Sequence, residues 1–189
     1  MIATKTKLWT VNEYHKMIET GILGSQDKVE LLEGRIVYMS PQRPPHAATT
    51  QLIDKYFQKL FQNRANIRVQ LPITLSTSEP EPDIAIVPMD SRQYADRHPS
   101  AVEVLLLIEV ADTTLDSDRE EKSRIYARAN IADYWIVDVN SRQIYILRDP
   151  VKNNYQSETI VREEGVLTPL AFPEIVIPGS ELLLDRTFW

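Results

Sequence analysis

The chain alternates short apolar runs with polar, proline-marked breaks, and the period of the apolar positions changes from run to run. "TVNEYHKMIE" has helical spacing, with Thr10 placed to cap the first turn and Glu13 three residues later to complete a capping box. "KVELLEGRIVYMSP" reads as two short strands joined at Glu33-Gly34, a hairpin turn signal. From His46 to Phe61 the apolar residues Ala47, Leu52, Ile53, Tyr56, Phe57, Leu60 and Phe61 return to helical spacing, and "IRVQLPITL" reads as extended chain interrupted by Pro72. "DIAIV" and "VEVLLLIEV" follow as strands, the second continuous enough in Val, Leu and Ile to be covered on both faces.

"DSDREEKSRIYARAN" predicts a helix, capped by Asp116 or Ser117 and acidic in its first turn. "DYWIVDV" and "QIYILR" are two more strands around a tight "NS" turn, and the tail, with "YQSETIV" and "LAFPEIVIPG", reads as edge strands and a closing segment. Hairpins and a helix-bridged strand pair in one chain require a mixed sheet, so the fold class is α/β with helices flanking a mixed central sheet.

Composition narrows the function classes. The 189 residues suit a single domain spanning 1–189, with 43% hydrophobic and 25% charged positions. Without cysteine there is no disulfide, thiolate metal site or cysteine nucleophile. "MIATKTKLWT" lacks a signal-peptide core, and no segment reaches the ~20 apolar residues of a membrane span, so a cytoplasmic protein is expected. A formal charge of -6 gives no general attraction to nucleic acid; binding would need metal ions or a local basic patch. Arg43, Lys55, Lys59, Arg64 and Arg68, with Asp54 against them, form one such stretch.

Three side chains carry the chemistry. In "EPEPDIAIV", Pro82 holds the preceding residue extended, so Asp83 projects from a stiff backbone where a buried strand begins. Glu109 sits inside the most apolar run, where an ionised carboxylate costs several kcal/mol unless compensated. A divalent cation shared with Asp83 would compensate it, provided the two strands are neighbours. On the helix that follows, Lys122, Ile125, Tyr126 and Ala129 share one face, which turns Lys122 inward near the end of the strand bearing Glu109. Two acids, a cation and a lysine suit hydrolysis of a phosphodiester.

The "PD" of Pro82-Asp83, the "IEV" of Ile108 to Val110 and the string "DREEKSRIYARANIADYWIVDV" resemble the Uma-type restriction endonucleases, bacterial members of the PD-(D/E)xK nuclease superfamily. The likeness runs from about Tyr14 to Pro150 and implies a restriction-endonuclease-like core with a metal-dependent nuclease site. It implies Asp83, Glu109 and Val110 as the Mg2+ (or Mn2+) site, and DNA as the partner. Ala111 stands where the superfamily's usual lysine would be, and Lys122 matches the family's lysine on the next helix. Glu33 matches an acidic position that completes such sites, and Gln70 a recurring glutamine that contacts phosphate or metal-bound water. His46, at a helix start, and Arg43 are candidate nucleic-acid contacts. A homodimer would suit two-strand cutting. Two other readings stand beside this one: a non-catalytic nucleic-acid-binding or regulatory module that retains the fold, and a structural domain whose carboxylates are held by arginines.

Overall fold

The computed structural model describes residues 6–185; the outermost parts of the expected 1–189 domain, including half of the "MIATKTKLWT" stretch, lie outside the described residues. Thr10 caps α1 (Val11–Glu19) as its sequence specifies: its hydroxyl accepts from the Glu13 N–H, and the Glu13 carboxylate accepts from the Thr10 N–H. β1 (Val29–Leu32) and β2 (Arg35–Tyr38) form the hairpin, turning at Glu33 (φ 47°) and Gly34 (φ 78°). Gly34 has a second reason to be glycine, since a Cβ there would lie 2.8 Å from Leu8 Cβ. α2 (Pro44–Leu60) starts on two prolines and buries Ile53 and Phe57 against the sheet.

The six-stranded sheet runs in the order β3 (Asn66–Val69), β4 (Ile84–Val87), β5 (Leu106–Ala111), β6 (Asp133–Asp138), β7 (Gln143–Val151), β8 (Asn154–Arg162). Every pairing is antiparallel except β5 with β6. That parallel pair needs a crossover, which is one helical run: α3 (Leu115–Ser117), a π-helical turn (Asp118–Lys122) and α4 (Ser123–Arg128). All six residues of β5 are buried, as are all six of β6. One face of the sheet packs under α2 and the C-terminal segment, with Trp135 and Phe57 in that core. The other face packs under α4, where Tyr126 and Tyr134 meet edge to face at 4.9 Å.

Three expectations are corrected. The strand expected from Val102 begins only at Leu106, because Ser100 and Glu103 close a capping box around a 3-10 turn (Ala101–Glu103). The crossover helix starts at Leu115, with Thr114 rather than Asp116 or Ser117 at its N-cap position, and the Thr114 hydroxyl donates to Asp118 (2.6 Å). In the tail β8 is the expected edge strand, but "LAFPEIVIPG" forms only the two-residue β10 (Ile177–Pro178), paired with β9 (Val166–Leu167). Its fixed position comes from Asp133, fully buried, whose carboxylate accepts from Arg148, the Trp135 indole and the Leu170 N–H.

Candidate functional site

The antiparallel pairing of β4 with β5 sets Ile84 opposite Ile108, and one step outward Asp83 meets Glu109. The Asp83 N–H lies 3.4 Å from Glu109 Oε2, and the Val110 N–H donates to Asp83 Oδ2 at 2.8 Å. Gln70 grips Asp83 twice: its N–H donates to the Asp83 carbonyl (3.1 Å) and its side-chain amide to Oδ1 (3.2 Å). This double hold requires Gln70 to adopt φ 50°, a left-handed conformation that non-glycine residues seldom take. His46, on the first turn of α2, adds a fourth constraint with Nε2 at 3.0 Å from Asp83 Oδ2. Asp83 is thus buried and fixed from four sides.

Glu109 is 2% exposed and accepts at Oε1 from Lys122 Nζ (3.0 Å) and from the Tyr126 hydroxyl (2.7 Å). Lys122 ends the π-turn and Tyr126 follows one helical turn on, so the two share the inward face expected for them. Asp118, at the start of that π-turn, approaches Lys122 Nζ at 3.9 Å. Among the described residues the side-chain partners of Glu109 are Lys122 and Tyr126 rather than an arginine, and a cavity opens beside it, which weighs against the purely structural reading.

That cavity, about 220 Å3, has an acidic wall of Glu30, Glu81, Asp83, Glu109, Asp118 and Glu121, against Lys122 and His46. The excess of carboxylate shows in their acidities. Burial, with repulsion from Asp118 and Asp83, lifts Glu109 well above the ordinary carboxylate range. Burial likewise raises Asp118, and burial with the neighbouring Glu30 raises Glu81. Burial works against a charged Lys122, but Glu109, Glu30 and Asp118 outweigh it and hold the ammonium protonated. Burial also disfavours ionised Asp83, yet the His46 hydrogen bond and charge and the Val110 N–H keep it below its ordinary value. His46 rises in turn, its burial outweighed by Asp83, Asp118 and Asp112.

Among the described residues no three or more His, Cys, Asp or Glu side chains are grouped to enclose a metal ion by themselves. The donor set nonetheless fits a small hard cation. Mg2+ is usually held by one or two carboxylates, with the rest of its shell supplied by water and substrate phosphate. Asp83 and Glu109 are two such carboxylates on adjacent strands, in a cavity short of positive charge.

The structure does not bring every expected residue here. Glu33 points away from the cavity, because its carboxylate pairs with Arg128 and, at 3.7 Å, with Arg124. Glu30, three residues earlier on β1, lines the cavity instead and accepts from the Glu81 N–H. Arg43 lies beside the site and reaches Asp112 at 3.4 Å. The basic stretch does not form one surface. Lys55 and Lys59 are exposed on α2, Arg64 pairs with Glu174, and Arg68 is buried against Tyr94 and His98.

A mixed sheet with two carboxylates at the meeting ends of adjacent strands, and a lysine from the crossover helix, is an α/β arrangement of restriction-endonuclease-like type. The family model Uma2, described as "Putative restriction endonuclease", matches residues 11–180, and the chain belongs to that family. A solved structure described as "a putative nuclease belonging to DUF820", from Anabaena variabilis ATCC 29413, superposes with a TM-score of 0.71 at 15% identity, covering 92% of this chain and 96% of that one. That likeness establishes the shared fold. No curated protein matches the chain. Among the described residues no helix is long and apolar enough to cross a membrane.

Proposed function

We propose that the protein is a metal-dependent nuclease that hydrolyses phosphodiester bonds in DNA. The observation carrying this reading is the convergence of Asp83, Glu109 and Lys122 on one acidic cavity, within a chain of a restriction endonuclease family. Asp83 and Glu109, with the main chain at Val110, would hold Mg2+ or Mn2+, which when bound polarises the phosphate and acidifies a coordinated water. The protein's own part is positioning. Gln70, His46 and the Val110 N–H fix the Asp83 carboxylate before any ligand arrives. Lys122, held charged by its acidic neighbours, supplies a donor that orients the attacking water and offsets charge developing on the phosphate. Tyr126 prevents Glu109 from swinging away.

Calorimetric titration of Mn2+ and Mg2+ into wild type, Asp83→Ala and Glu109→Ala tests the site. Saturable binding lost in both variants is the expected result. Cleavage of DNA in Mg2+ should then fall by roughly a hundredfold or more in Lys122→Ala. Metal-dependent cleavage that survives Asp83→Ala would refute the assignment. DNA binding that persists in chelator, without turnover in either metal, would make the protein a non-catalytic module on the same fold.

A further inference from the structure

Tyr38 ends β2 at the rim of the acidic cavity, and it is 86% exposed. Among the described residues its hydroxyl has no hydrogen-bond partner and its ring no aromatic or cationic neighbour. Its backbone is nonetheless fixed, since Tyr38 pairs with Val29 in the hairpin and the next residue, Met39, donates its N–H to the Lys28 carbonyl at 2.8 Å. The hairpin thus presents a large, uncovered ring at the mouth of the candidate site.

Two further observations define what the ring would meet. At about 220 Å3 the cavity is smaller than the roughly 300–1,000 Å3 of pockets that enclose whole small molecules. A phosphate and its metal fit inside, and the attached base must stay at the mouth, where Tyr38 stands. The cavity wall also carries six acids against one lysine and one histidine, in a chain of net charge -6. Duplex binding draws on rows of Lys and Arg along the phosphates. Here Arg43 is engaged by Asp112, Arg64 by Glu174 and Arg68 is buried, so of the basic stretch only Lys55 and Lys59 stand exposed and unengaged among the described residues, and stacking would add grip that this charge does not supply.

We infer that Tyr38 is a stacking platform for an unpaired base next to the scissile phosphate, which makes single strands, flaps and frayed ends the substrate class. The inference rests on the nuclease reading and deepens it. Every base has a face that can stack on an aromatic ring, but in a duplex those faces are occupied by neighbouring bases. A substrate presented one strand at a time also does not require the two-fold dimer that double-strand cleavage would favour.

The test uses the full chain with a single-stranded oligonucleotide carrying 2-aminopurine, whose fluorescence falls on stacking, and the matching duplex. In Ca2+ the single strand should be quenched by wild type and by Tyr38→Phe, which keeps the ring, but not by Tyr38→Ala. In Mg2+ or Mn2+ the KM for the single strand should lie below that for the duplex and rise about ten- to hundredfold in Tyr38→Ala, with Tyr38→Phe restoring it. Duplex cleavage of equal or better KM, indifferent to Tyr38→Ala, would overturn the inference and leave the nuclease reading intact. Quenching that depends on Tyr38 without cleavage in either metal would overturn the nuclease reading alone. Neither quenching nor cleavage would overturn both.

Discussion

Replacing Lys122 by methionine keeps the length of the side chain and removes the one cation between Glu109 and Asp118. At 3.0 Å from Glu109 Oε1, the ammonium gains roughly 5 kcal/mol of Coulomb energy at an effective dielectric of about 20. Burying both charges offsets part of this, and removal of one partner from such a buried pair typically costs about 3–5 kcal/mol. For a chain of this size that lowers the unfolding midpoint by about 10 °C. Glu109 can relieve the loss by taking up a proton. Its folded pKa already lies above the unfolded value of 4.5, and losing Lys122 raises it further, so protonation favours the folded state. The deficit of Lys122→Met should therefore stay nearly level up to about pH 8 and grow above it, where Glu109 ionises in the wild type but not in the variant. Urea denaturation of Lys122→Met, Glu109→Gln and the double variant in EDTA closes the cycle. Glu109→Gln keeps an oxygen for Tyr126, so the double variant should be more stable than the sum of the two losses by about 2–3 kcal/mol. Additive losses, or a Lys122→Met deficit that does not increase above pH 8, would refute this account of the pair.

Two further expectations concern the frame around the site. Asp133→Ala strands Arg148, the Trp135 indole and the Leu170 N–H at once, and should cost about 3–5 kcal/mol in urea denaturation, with protease cleavage near Leu170 accelerated. Glu103 is lowered from 4.5 to about 2 by its Arg97 pair and by the Ser100 cap, against some burial. Its stabilisation is thus present above pH 4.5 and is lost as the pH falls toward 2. The gap between wild type and Glu103→Gln, about 1 kcal/mol at pH 7, should close between pH 4.5 and 2, as followed by denaturation at stepped pH.

Much of the site was legible because burial of a charge leaves a mark in sequence. Glu109 betrays itself in "VLLLIEV" as a carboxylate where only apolar side chains belong, and Lys122 by sharing a face with Ile125 and Tyr126. Glu30 carries the same mark in "VELL", a strand buried throughout, but the family resemblance points to Glu33 instead. Glu33 looked equally plausible because its partners, Arg124 and Arg128, are some ninety residues away in the chain. Asp118 resembles an ordinary first-turn acid stabilising a helix dipole, although its spacing of four residues from Lys122 already places the two on one helix face. The strand order was beyond reach of local pattern, since hydrophobic periodicity states that a strand is buried and not which strand lies beside it. The basic stretch failed for a related reason. Linear proximity placed Arg68 with Lys55 and Lys59, but alternation along β3 turns it into the interior.

Ala111 shares a face of β5 with Glu109, two positions along, and is sealed beneath Ile125 and Tyr126. A lysine rooted there would have to displace the very helix that now supplies the amine. The amine that reaches Glu109 comes instead from the crossover that covers the strand. Moving the amine, as Ala111→Lys with Lys122→Ala, would overpack the buried space between β5 and the crossover, so the position of the lysine and the packing of the helix are set together.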